Sequence, residues 1–507
     1  MKNIVLTNEI AQVILNKVEA FKNDKNRLQL KIGIKSLGDG LACQTVLVNG
    51  GMMAEIGFKT ADIPADYVEG SGSYFTVNVS ANHFISYMKA LLPFNANITI
   101  GYDEKSTLYM QVGASARVSI STTEEMDALL PCDHGSAYAM IKLETKKFLS
   151  ALKIGSFVAS AAPDSRGITD RVVLKFSPEE TVVYSTDSFI MTKAWCDTVA
   201  QFNKPNQCVA FLNAKLETLK DADRSALIEK IKKVMTNPQA TVKLAEEEGF
   251  KDGPLTIALP ATSMAVFKTI FGGTEKLNVM VTPDHMVVNS GNVLATFSLA
   301  GSASELYTKS VDPWQNTSWT GQAMVDKEAL SNALAVVALS ASQISGKKGP
   351  VPFLTTFQKG KMILTDRLNN EVTLPIINST GDLSKVNIFL DVEKVLAVLG
   401  KLSNGNVVLR YFVIQNGKNQ FPVSFSNGDI EGNGITSYTY VLPVNIQKEE
   451  KKDNPKEDSK NPKDPITKKK SKATAEENSS SNVAEGDMAA DEDDIPSLPD
   501  PGFEDVM

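Results

Sequence analysis

The sequence predicts an α+β fold of three tandem domains, each built from two βαβββ-type units. One pattern of strand, short helix, break and alternating strands occurs three times, starting at Tyr74, Leu255 and Val386. A related unit precedes each copy, starting at Met1, Tyr138 and Thr320. A repeated supersecondary unit indicates a repeat architecture, and two sheets edged by two helices make one small α+β domain. We therefore predict domains at residues 1–132, 133–319 and 320–446.

The helix and strands of each second unit are predicted from apolar spacing. Apolar residues three or four apart form one helix face, whereas strand residues alternate. In the first domain the apolar helix face comprises Phe84, Tyr87, Met88 and Leu91. The predicted strands after the three helices are residues 97–102, 108–112 and 116–121, then 277–281, 285–289 and 293–299, and finally 407–414 and 421–425.

The composition fits a soluble protein with several cores. The chain has 507 residues, of which 42% are hydrophobic and 22% charged, and this length suggests about three domains. Its four cysteines are scattered without close spacing, which favours reduced thiols over a disulfide framework. No apolar run reaches the roughly 18 residues of a membrane helix, and no apolar leader follows Met1. We expect a soluble, cytoplasmic protein without a membrane partner.

Two segments depart from the repeats. Residues 200–253 are predicted to be an insertion in the second domain with an amphipathic helix, whose apolar face is Leu227, Ile228, Ile231 and Val234. Residues 447–507 hold ten basic and 17 acidic residues, which accounts for the net charge of −7 and leaves the rest near neutral. Such a charged, apolar-poor tail is predicted to be disordered.

The aligned units resemble the beta subunit of bacterial DNA polymerase III, the sliding clamp, over about residues 1–446. The stretch ALLPFNANITIGYDEKSTLYMQVGASARVSISTTEEMDALLP is similar to part of the family's first domain. In the second, Arg166 followed by Ser185-Thr186-Asp187 resembles an Arg, strand and ATD pattern. In the third, Leu442-Pro443-Val444-Asn445-Ile446 resembles a terminal MPxRL strand. Three motifs in the family's order carry the resemblance.

The resemblance implies the DNA clamp, or processivity, fold and a sliding clamp's function. Two copies would join head to tail in a ring, with twelve helices lining a hole that encircles duplex DNA without reading its sequence. Its partners would be the replicative DNA polymerase, an ATP-dependent clamp loader and repair or other proteins with clamp-binding peptides. The chain would be an accessory processivity subunit with no cofactor, no metal and no catalytic site of its own.

The resemblance also implies three sets of functional residues. Lysines on the inner helices would face DNA, and weak contacts suit a sliding protein because each neutralised phosphate adds affinity; these are Lys89, Lys146, Lys153, Lys268, Lys394 and Lys401. The dimer interface would use Val118, Ile120, Ala338 and Leu339. An apolar groove for partner peptides would comprise Thr169, Thr186, Ser188, Phe189, Ile190, Met191, Lys309, Gln420, Pro422, Val441, Leu442, Pro443 and Val444.

The groove residues depart from the family pattern at three positions. After Thr186-Asp187 the family usually has Gly, an aromatic or His, and Arg, whereas this chain has Ser188, Phe189 and Ile190. The terminal basic residue is Asn445 here. The chain thus lacks the cations expected at the groove rim, and its peptide preference is expected to differ.

Other readings of the sequence stay open at this point. Ile495, Leu498 and Phe503 end the tail, so the tail could occupy the groove, recruit a partner or merely add solubility. Cys132-Asp133-His134 lacks further zinc ligands and is expected to be a loop, and no GxxxxGK[ST] phosphate motif occurs. The alternatives to a clamp are a clamp-like scaffold that does not close around DNA and an enzyme with a hidden site.

Overall fold

The computed structural model describes most of the chain up to Val444. The described residues are 2–20, 29–37, 40–49, 52–59, 73–102, 107–122, 134–160, 169–291, 293–300, 319–342, 351–403, 405–412 and 422–444. All of them belong to one compact unit. The tail, Arg166, Lys309, Gln420 and Asn445 lie outside the described residues, and so do Cys132 and Asp133. Below, the first, second and last thirds are residues 1–132, 133–319 and 320–444; domain boundaries at these points stay a prediction.

The first third contains two units and two antiparallel sheets. Its elements are β1 (Lys2–Leu6), α1 (Asn8–Ala20), β2 (Gln29–Leu37), β3 (Gly40–Asn49), β4 (Met52–Lys59), β5 (Ser73–Ser80), α2 (Ala81–Leu91), β6 (Ile98–Tyr102), β7 (Thr107–Val112) and β8 (Ala116–Ser121). Strand order is β1-β6-β7-β8 in one sheet and β5-β2-β3-β4 in the other. Each unit's first strand therefore joins the sheet of the other unit. The Ser80 hydroxyl accepts a hydrogen bond from the His83 N–H and caps α2.

The second third repeats this exchange of first strands. Its elements are β9 (Ala139–Glu144), α3 (Thr145–Gly155), β10 (Arg171–Phe176), β11 (Glu180–Thr186), β12 (Ile190–Phe202), α4 (Lys204–Thr218), α5 (Asp221–Val234), α6 (Pro238–Glu247), β13 (Leu255–Pro260), α7 (Thr262–Phe271), β14 (Lys276–Val281), β15 (His285–Ser290) and β16 (Val293–Ser298). The sheets run β9-β14-β15-β16 and β13-β10-β11-β12. Helices α4, α5 and α6 lie between the two units.

The last third has the same plan with one added short strand. Its elements are β17 (Gly321–Asp326), α8 (Lys327–Ser342), β18 (Pro352–Gln358), β19 (Lys361–Thr365), β20 (Glu371–Pro375), β21 (Asn378–Gly381), β22 (Ile388–Asp391), α9 (Val392–Leu399), β23 (Asn406–Tyr411), β24 (Val423–Ser426) and β25 (Ser437–Val441). The sheets run β17-β23-β24-β25 and β22-β18-β19-β20. The Asp391 carboxylate accepts a hydrogen bond from the Glu393 N–H at 2.9 Å and caps α9.

The thirds are joined through the final strands of their units. Strand β4 pairs with β16, from Ile56↔Val293 to Met52↔Phe297. Strand β12 pairs with β25, from Ile190↔Val441 to Ala194↔Ser437. Five units end in β4, β8, β12, β16 and β25, and in the remaining unit β20 holds the same place, followed by the added strand β21. The two pairings use four of these six strands. Among the described residues, β8 pairs in a ladder only with β7, and β20 only with β19.

Two large apolar clusters bury the helices against the sheets. One runs through the first and second thirds. Within it, Phe267 on α7 lies 5.5 Å from Phe148, 4.8 Å from Phe271 and 5.4 Å from Phe297, measured between ring centroids. The other fills the last third and also contains Ile190 of the second third. Packing therefore crosses both junctions between thirds.

The predicted repeat elements are present with small shifts of their ends. Strand β8 has the predicted bounds, and β14 begins one residue earlier than predicted. Within the predicted insertion, the amphipathic helix is present as α5, and α4 and α6 add two helices that the sequence reading did not predict. Strand β12 continues to Phe202, so the helical insertion starts at Lys204.

The helical insertion has its own small core. Cys208, Leu212, Leu227, Leu244 and Ala245 are buried together. Its base is tied to the segment before β9, because the Asn206 side-chain amide donates hydrogen bonds to the carbonyls of Gly135 and Ala137, both at 2.9 Å. At its far side the Glu248 carboxylate accepts from Lys215 at 2.7 Å and Lys230 at 2.8 Å.

Glu248→Gln is expected to destabilise this insertion at neutral pH. Hydrogen bonds from Lys215 and Lys230 hold the pKa of Glu248 below its ordinary value of 4.5. A lowered native pKa contributes stability above the ordinary pKa, and that contribution is lost as pH falls through the native value. Because the pair is near the surface, we expect a loss of about 0.5–1 kcal/mol at pH 7. Urea unfolding at pH 7 and at about pH 3 measures the difference.

The matched control is Glu247→Gln. Glu247 is exposed and no ion pair of it is described, so this change should cost less than about 0.5 kcal/mol at either pH. A Glu248→Gln deficit that persists unchanged at about pH 3 would contradict the charge-based explanation.

Candidate functional site

The surface predicted to be the partner-peptide groove, called the groove below, lies where the second and last thirds meet, at the start of β12. After Val441 the chain leaves the sheet and runs between two other segments. The Leu442 N–H donates to the Phe189 carbonyl at 2.9 Å, and the Val444 N–H donates to the Phe389 carbonyl at 2.8 Å. Residues 442–444 are therefore held by backbone bonds while their side chains stay half-buried.

The turn before β12 is fixed by hydrogen bonds. The Asp187 Oδ1 atom accepts from the Phe189 N–H at 2.8 Å and from the Ile190 N–H at 2.6 Å. The Thr186 hydroxyl accepts from the Ser188 N–H and donates to the Ile190 carbonyl. Ser188 has a φ of 77°, a left-handed conformation that non-glycine residues seldom adopt. Gly at this position would relieve that strain, because glycine has no Cβ.

This turn sends two neighbouring apolar side chains in opposite directions. Ile190 is 3% exposed and belongs to the core of the last third. Phe189 is 57% exposed at the groove. Together with the half-buried Leu442, Phe189 leaves apolar side-chain surface accessible at this junction.

Lys394 of α9 reaches this turn from the last third. Its ammonium lies 3.4 Å from the Asp187 Oδ2 atom and 4.4 Å from the centroid of the Phe189 ring. Its side chain is 27% exposed. The groove therefore contains a cation, although the turn itself has none.

The described groove residues differ in exposure: Phe189 is exposed and Leu442, Pro443 and Val444 are half-buried, whereas Thr169, Ile190, Pro422 and Val441 are buried and present no open surface. Ile190 and Val441 are cross-strand partners, Pro422 is buried next to β24, and Thr169 is buried. Met191 packs on the opposite side, against the cluster that contains Tyr184 and Tyr440. Lys309 and Gln420 lie outside the described residues. The sequence reading missed Lys394 as a groove residue, because helical spacing alone does not show which element a side chain meets.

The predicted DNA-facing lysines differ in their surroundings. Lys146, Lys153 and Lys268 are exposed on α3 and α7, and no ion pair of theirs is described; Lys89 is exposed but paired with Glu19. Lys401 lies 5.9 Å from the Phe157 ring centroid. Lys394 requires a correction: it was predicted to face DNA from an inner helix, but its ammonium lies against Asp187 and Phe189 of the turn before β12.

The predicted interface residues lie at the unpaired edges or near them. Val118 and Ile120 are on β8, and α8, which ends near Ala338 and Leu339, packs against β20. Leu339 is 69% exposed. Ile120 is 2% exposed within its own core, so its side chain cannot be an open contact as expected. The available part of β8 is its backbone edge, with Arg117, Ser119 and Ser121 exposed.

The His, Cys, Asp and Glu side chains of the described residues do not form a metal-binding cluster. No group of three or more His, Cys, Asp or Glu side chains there could hold a metal ion. Asp187 is committed to its turn through Oδ1. Among the described helices, none is both long and apolar enough to cross a membrane.

Solved structures of bacterial clamps share this architecture. The DNA polymerase III beta subunit of Thermotoga maritima matches with a TM-score of 0.61 at 11% identity, covering 88% of this chain and all of the other. The Pseudomonas aeruginosa sliding clamp matches with a TM-score of 0.61 at 13% identity, covering 88% of this chain and 99% of the other. The chain has the sliding-clamp fold.

A third clamp structure adds a bound peptide. The Helicobacter pylori beta clamp, solved with a DNA ligase peptide, matches with a TM-score of 0.61 at 12% identity. The match covers 88% of this chain and all of the Helicobacter pylori chain. No protein-family model and no curated protein matches the sequence. The similarity to these clamps therefore lies in the order and pairing of helices and strands, since few residues are identical.

Proposed function

We propose that the chain is a sliding clamp that encircles duplex DNA and tethers the replicative DNA polymerase. The observation that carries this proposal is the pairing of final strands. Inside the chain, β4 with β16 and β12 with β25 join one third to the next. The strands β8 and β20 are the corresponding ends without such a partner among the described residues. Pairing β8 with β20 of a second copy makes a head-to-tail dimer, and a heterologous contact closes when the rotation allows it.

In this proposal the helices face the DNA with few cations. Lys89, Lys146, Lys153, Lys268 and Lys401 remain the DNA-facing residues, and Lys394 belongs to the groove. Weak phosphate contacts keep the ring mobile, since each neutralised phosphate adds affinity and salt dependence. Retention on DNA then depends on ring closure, which requires the dimer interface to be stable.

The groove at Phe189 is proposed as the site for partner peptides. Its apolar surface, its position at the junction between two thirds and its open Phe189 side chain suit a short peptide with apolar anchors. The peptide-bound Helicobacter pylori clamp supports this reading by analogy of fold. The proposed partners are the replicative DNA polymerase, repair or other clamp-binding proteins and an ATP-dependent loader. The chain itself is proposed to be a non-catalytic accessory subunit.

Retention on circular DNA tests the function. The full-length chain, loaded onto nicked circular DNA with a cognate loader or by assembly at high protein concentration, should stay bound during gel filtration in high salt. Cutting the circle with a restriction enzyme should release it. A chain that is never retained on circles, while its groove still binds peptides, would favour the alternative of a scaffold that does not close around DNA.

A further inference from the structure

The six helices that would line the hole of the proposed ring differ in charge from third to third. Helices α3 and α7 of the second third carry four lysines and no acidic residue. Helices α1 and α2 carry two lysines and two glutamates, and so do α8 and α9. In two of the three thirds, therefore, the helices have no net positive charge to offer to DNA.

The lysines on the helices of the last third already have partners in the protein. The Lys327 ammonium donates to the Leu402 carbonyl at 2.8 Å, and the Lys394 ammonium lies 3.4 Å from the Asp187 Oδ2 atom. The glutamate that neighbours each of these lysines in the sequence is exposed. Lys401, two residues after α9, adds a single cation. The helices of the last third therefore attract phosphates only weakly.

The polypeptide leaves the last third next to α9. The Val444 N–H donates to the Phe389 carbonyl at 2.8 Å, and Phe389 lies on β22, the strand that leads directly into α9. Residues 445–507 continue from this point. At about 3.4 Å per residue, the chain from Val444 to Lys460 spans at most about 55 Å. The charges that follow are therefore tethered within reach of this helix.

The tail separates its charges into a basic and an acidic stretch. Residues 460–472, called the basic stretch, hold six lysines and one aspartate, and three of the lysines are consecutive, Lys468 to Lys470. Residues 473–507, called the acidic stretch, hold eleven acidic residues and no lysine or arginine. Short lysine-rich stretches are typical of segments that bind nucleic acid, because they concentrate positive charge.

We propose that the basic stretch binds the phosphates of duplex DNA beside the last third. The inference rests on the proposed function for the identity of the partner, since a clamp holds duplex DNA next to this third. Each lysine that neutralises a phosphate adds affinity and salt dependence without reading the sequence, and such contacts allow sliding. The basic stretch thus supplies the positive charge that α8 and α9 lack.

The acidic stretch competes with DNA for the same lysines. Fully extended, its 35 residues are about 120 Å long, so its eleven charges are on average about 11 Å apart. Duplex DNA carries one charge per about 1.7 Å and releases condensed counterions when a lysine binds. Because of this difference in charge density, DNA displaces the acidic stretch. The acidic stretch lowers the net affinity for DNA and does not abolish it.

Fluorescence anisotropy with a labelled linear duplex of about 40 base pairs, without a loader, tests this contact. In the full-length protein, Lys468→Gln, Lys469→Gln and Lys470→Gln together should lower the affinity about ten-fold or more at about 0.1 M salt. The slope of the logarithm of the binding constant against the logarithm of the salt concentration should decrease in magnitude by about 2–3, because about 0.9 is lost per phosphate contact.

The matched control removes three lysines from the part of the tail before the basic stretch. Lys448→Gln, Lys451→Gln and Lys452→Gln remove lysines that have two acidic residues among them and one directly after them. This variant should change the slope by less than about one. Equal changes in the two variants would mean that only net charge matters and would overturn a contact at the basic stretch. An unchanged slope in the first variant would overturn it as well.

Neutralising part of the acidic stretch should have the opposite effect. Asp491→Asn, Glu492→Gln, Asp493→Asn and Asp494→Asn together should raise the affinity for the duplex about three-fold or more. An unchanged affinity would overturn the competition. If polyglutamate displaces the duplex at equal charge concentration, the basic stretch binds acidic proteins, and its assignment to DNA is overturned.

Failure of this contact and failure of the clamp give different results. A wild-type protein that binds the duplex through its basic stretch but is never retained on nicked circles would support the contact and overturn the clamp. Retention on circles, combined with duplex binding that no tail lysine affects, would overturn the contact and leave the clamp. Thermal melting of each variant shows that it is folded.

Discussion

Leu339→Lys is expected to leave the chain folded and to abolish its retention on circular DNA. Leu339 is 69% exposed near the end of α8, the helix that packs against β20, whose only ladder partner among the described residues is β19. Such exposure limits the stability cost of the substitution to about 0.5 kcal/mol. In the proposed dimer the same side chain would be buried between copies, where a lysine has to lose its hydration.

The effect is large because a two-copy ring has two identical interfaces. Losing a central apolar contact typically costs about 2 kcal/mol or more per interface. Since every substitution occurs in both interfaces, the dimer loses about 4 kcal/mol, and its dissociation constant rises about 1,000-fold. Analytical ultracentrifugation at micromolar concentration should show a shift from dimer to monomer. The fraction retained on nicked circles should fall with it.

Val199→Lys is the matched control. Val199 is 63% exposed on β12, in the part of that strand paired with β9, and is not part of either unpaired edge. This substitution adds the same charge at a similarly exposed apolar position and should leave the dimer intact. If Leu339→Lys remains dimeric and circle-bound, α8 and β20 do not form the ring contact.

The fold was predictable because the sequence contains several copies of the same pattern of helix and strands. Each unit repeats one apolar helix face and alternating strands. An element whose assignment is ambiguous in one unit can therefore be assigned by comparison with the other units. The α4–α6 insertion shows the limit of this argument. The insertion occurs once, so no second copy supports its assignment. The spacing of Leu227, Ile231 and Val234 predicted α5, whereas α4 and α6 were not predicted; buried residues of all three helices form one small core.

The candidate site was predictable only where the backbone decides the contact. Ile190 and Val441 meet because β12 and β25 pair in register. Both were predicted as groove residues because each lies beside a motif that carries the family resemblance. Lys394 was assigned to the wrong surface because a side chain on a helix edge can turn either way. Its direction is decided by Asp187, more than 200 residues away in the chain, and periodicity holds no information on such a contact. Ile120 illustrates the reverse case, since a strand at an edge can still bury its side chains.

Phe189→Ala and Ile190→Ala are expected to have opposite effects although the residues are adjacent. Phe189→Ala removes an exposed ring, so the free energy of unfolding should change by less than about 1 kcal/mol, most of it from the contact with Lys394. Partner peptides should bind about 30-fold more weakly, because an aromatic anchor at an interface is typically worth about 2 kcal/mol. Fluorescence anisotropy with a labelled DNA ligase peptide measures the affinity.

Ile190→Ala instead creates a cavity where β12 meets the core of the last third. Ile190 is 3% exposed, and removing its buried atoms should lower the free energy of unfolding by about 2–4 kcal/mol. Urea unfolding measures this loss. Because Ile190 pairs with Val441, peptide binding should weaken only as far as the junction loosens, and it should recover at lower temperature or with added stabilising osmolyte. Binding lost in Phe189→Ala should not recover in this way, since the lost contact is with the ligand itself. Equal stability losses in the two variants would mean that Phe189 is part of the core and not of a contact surface.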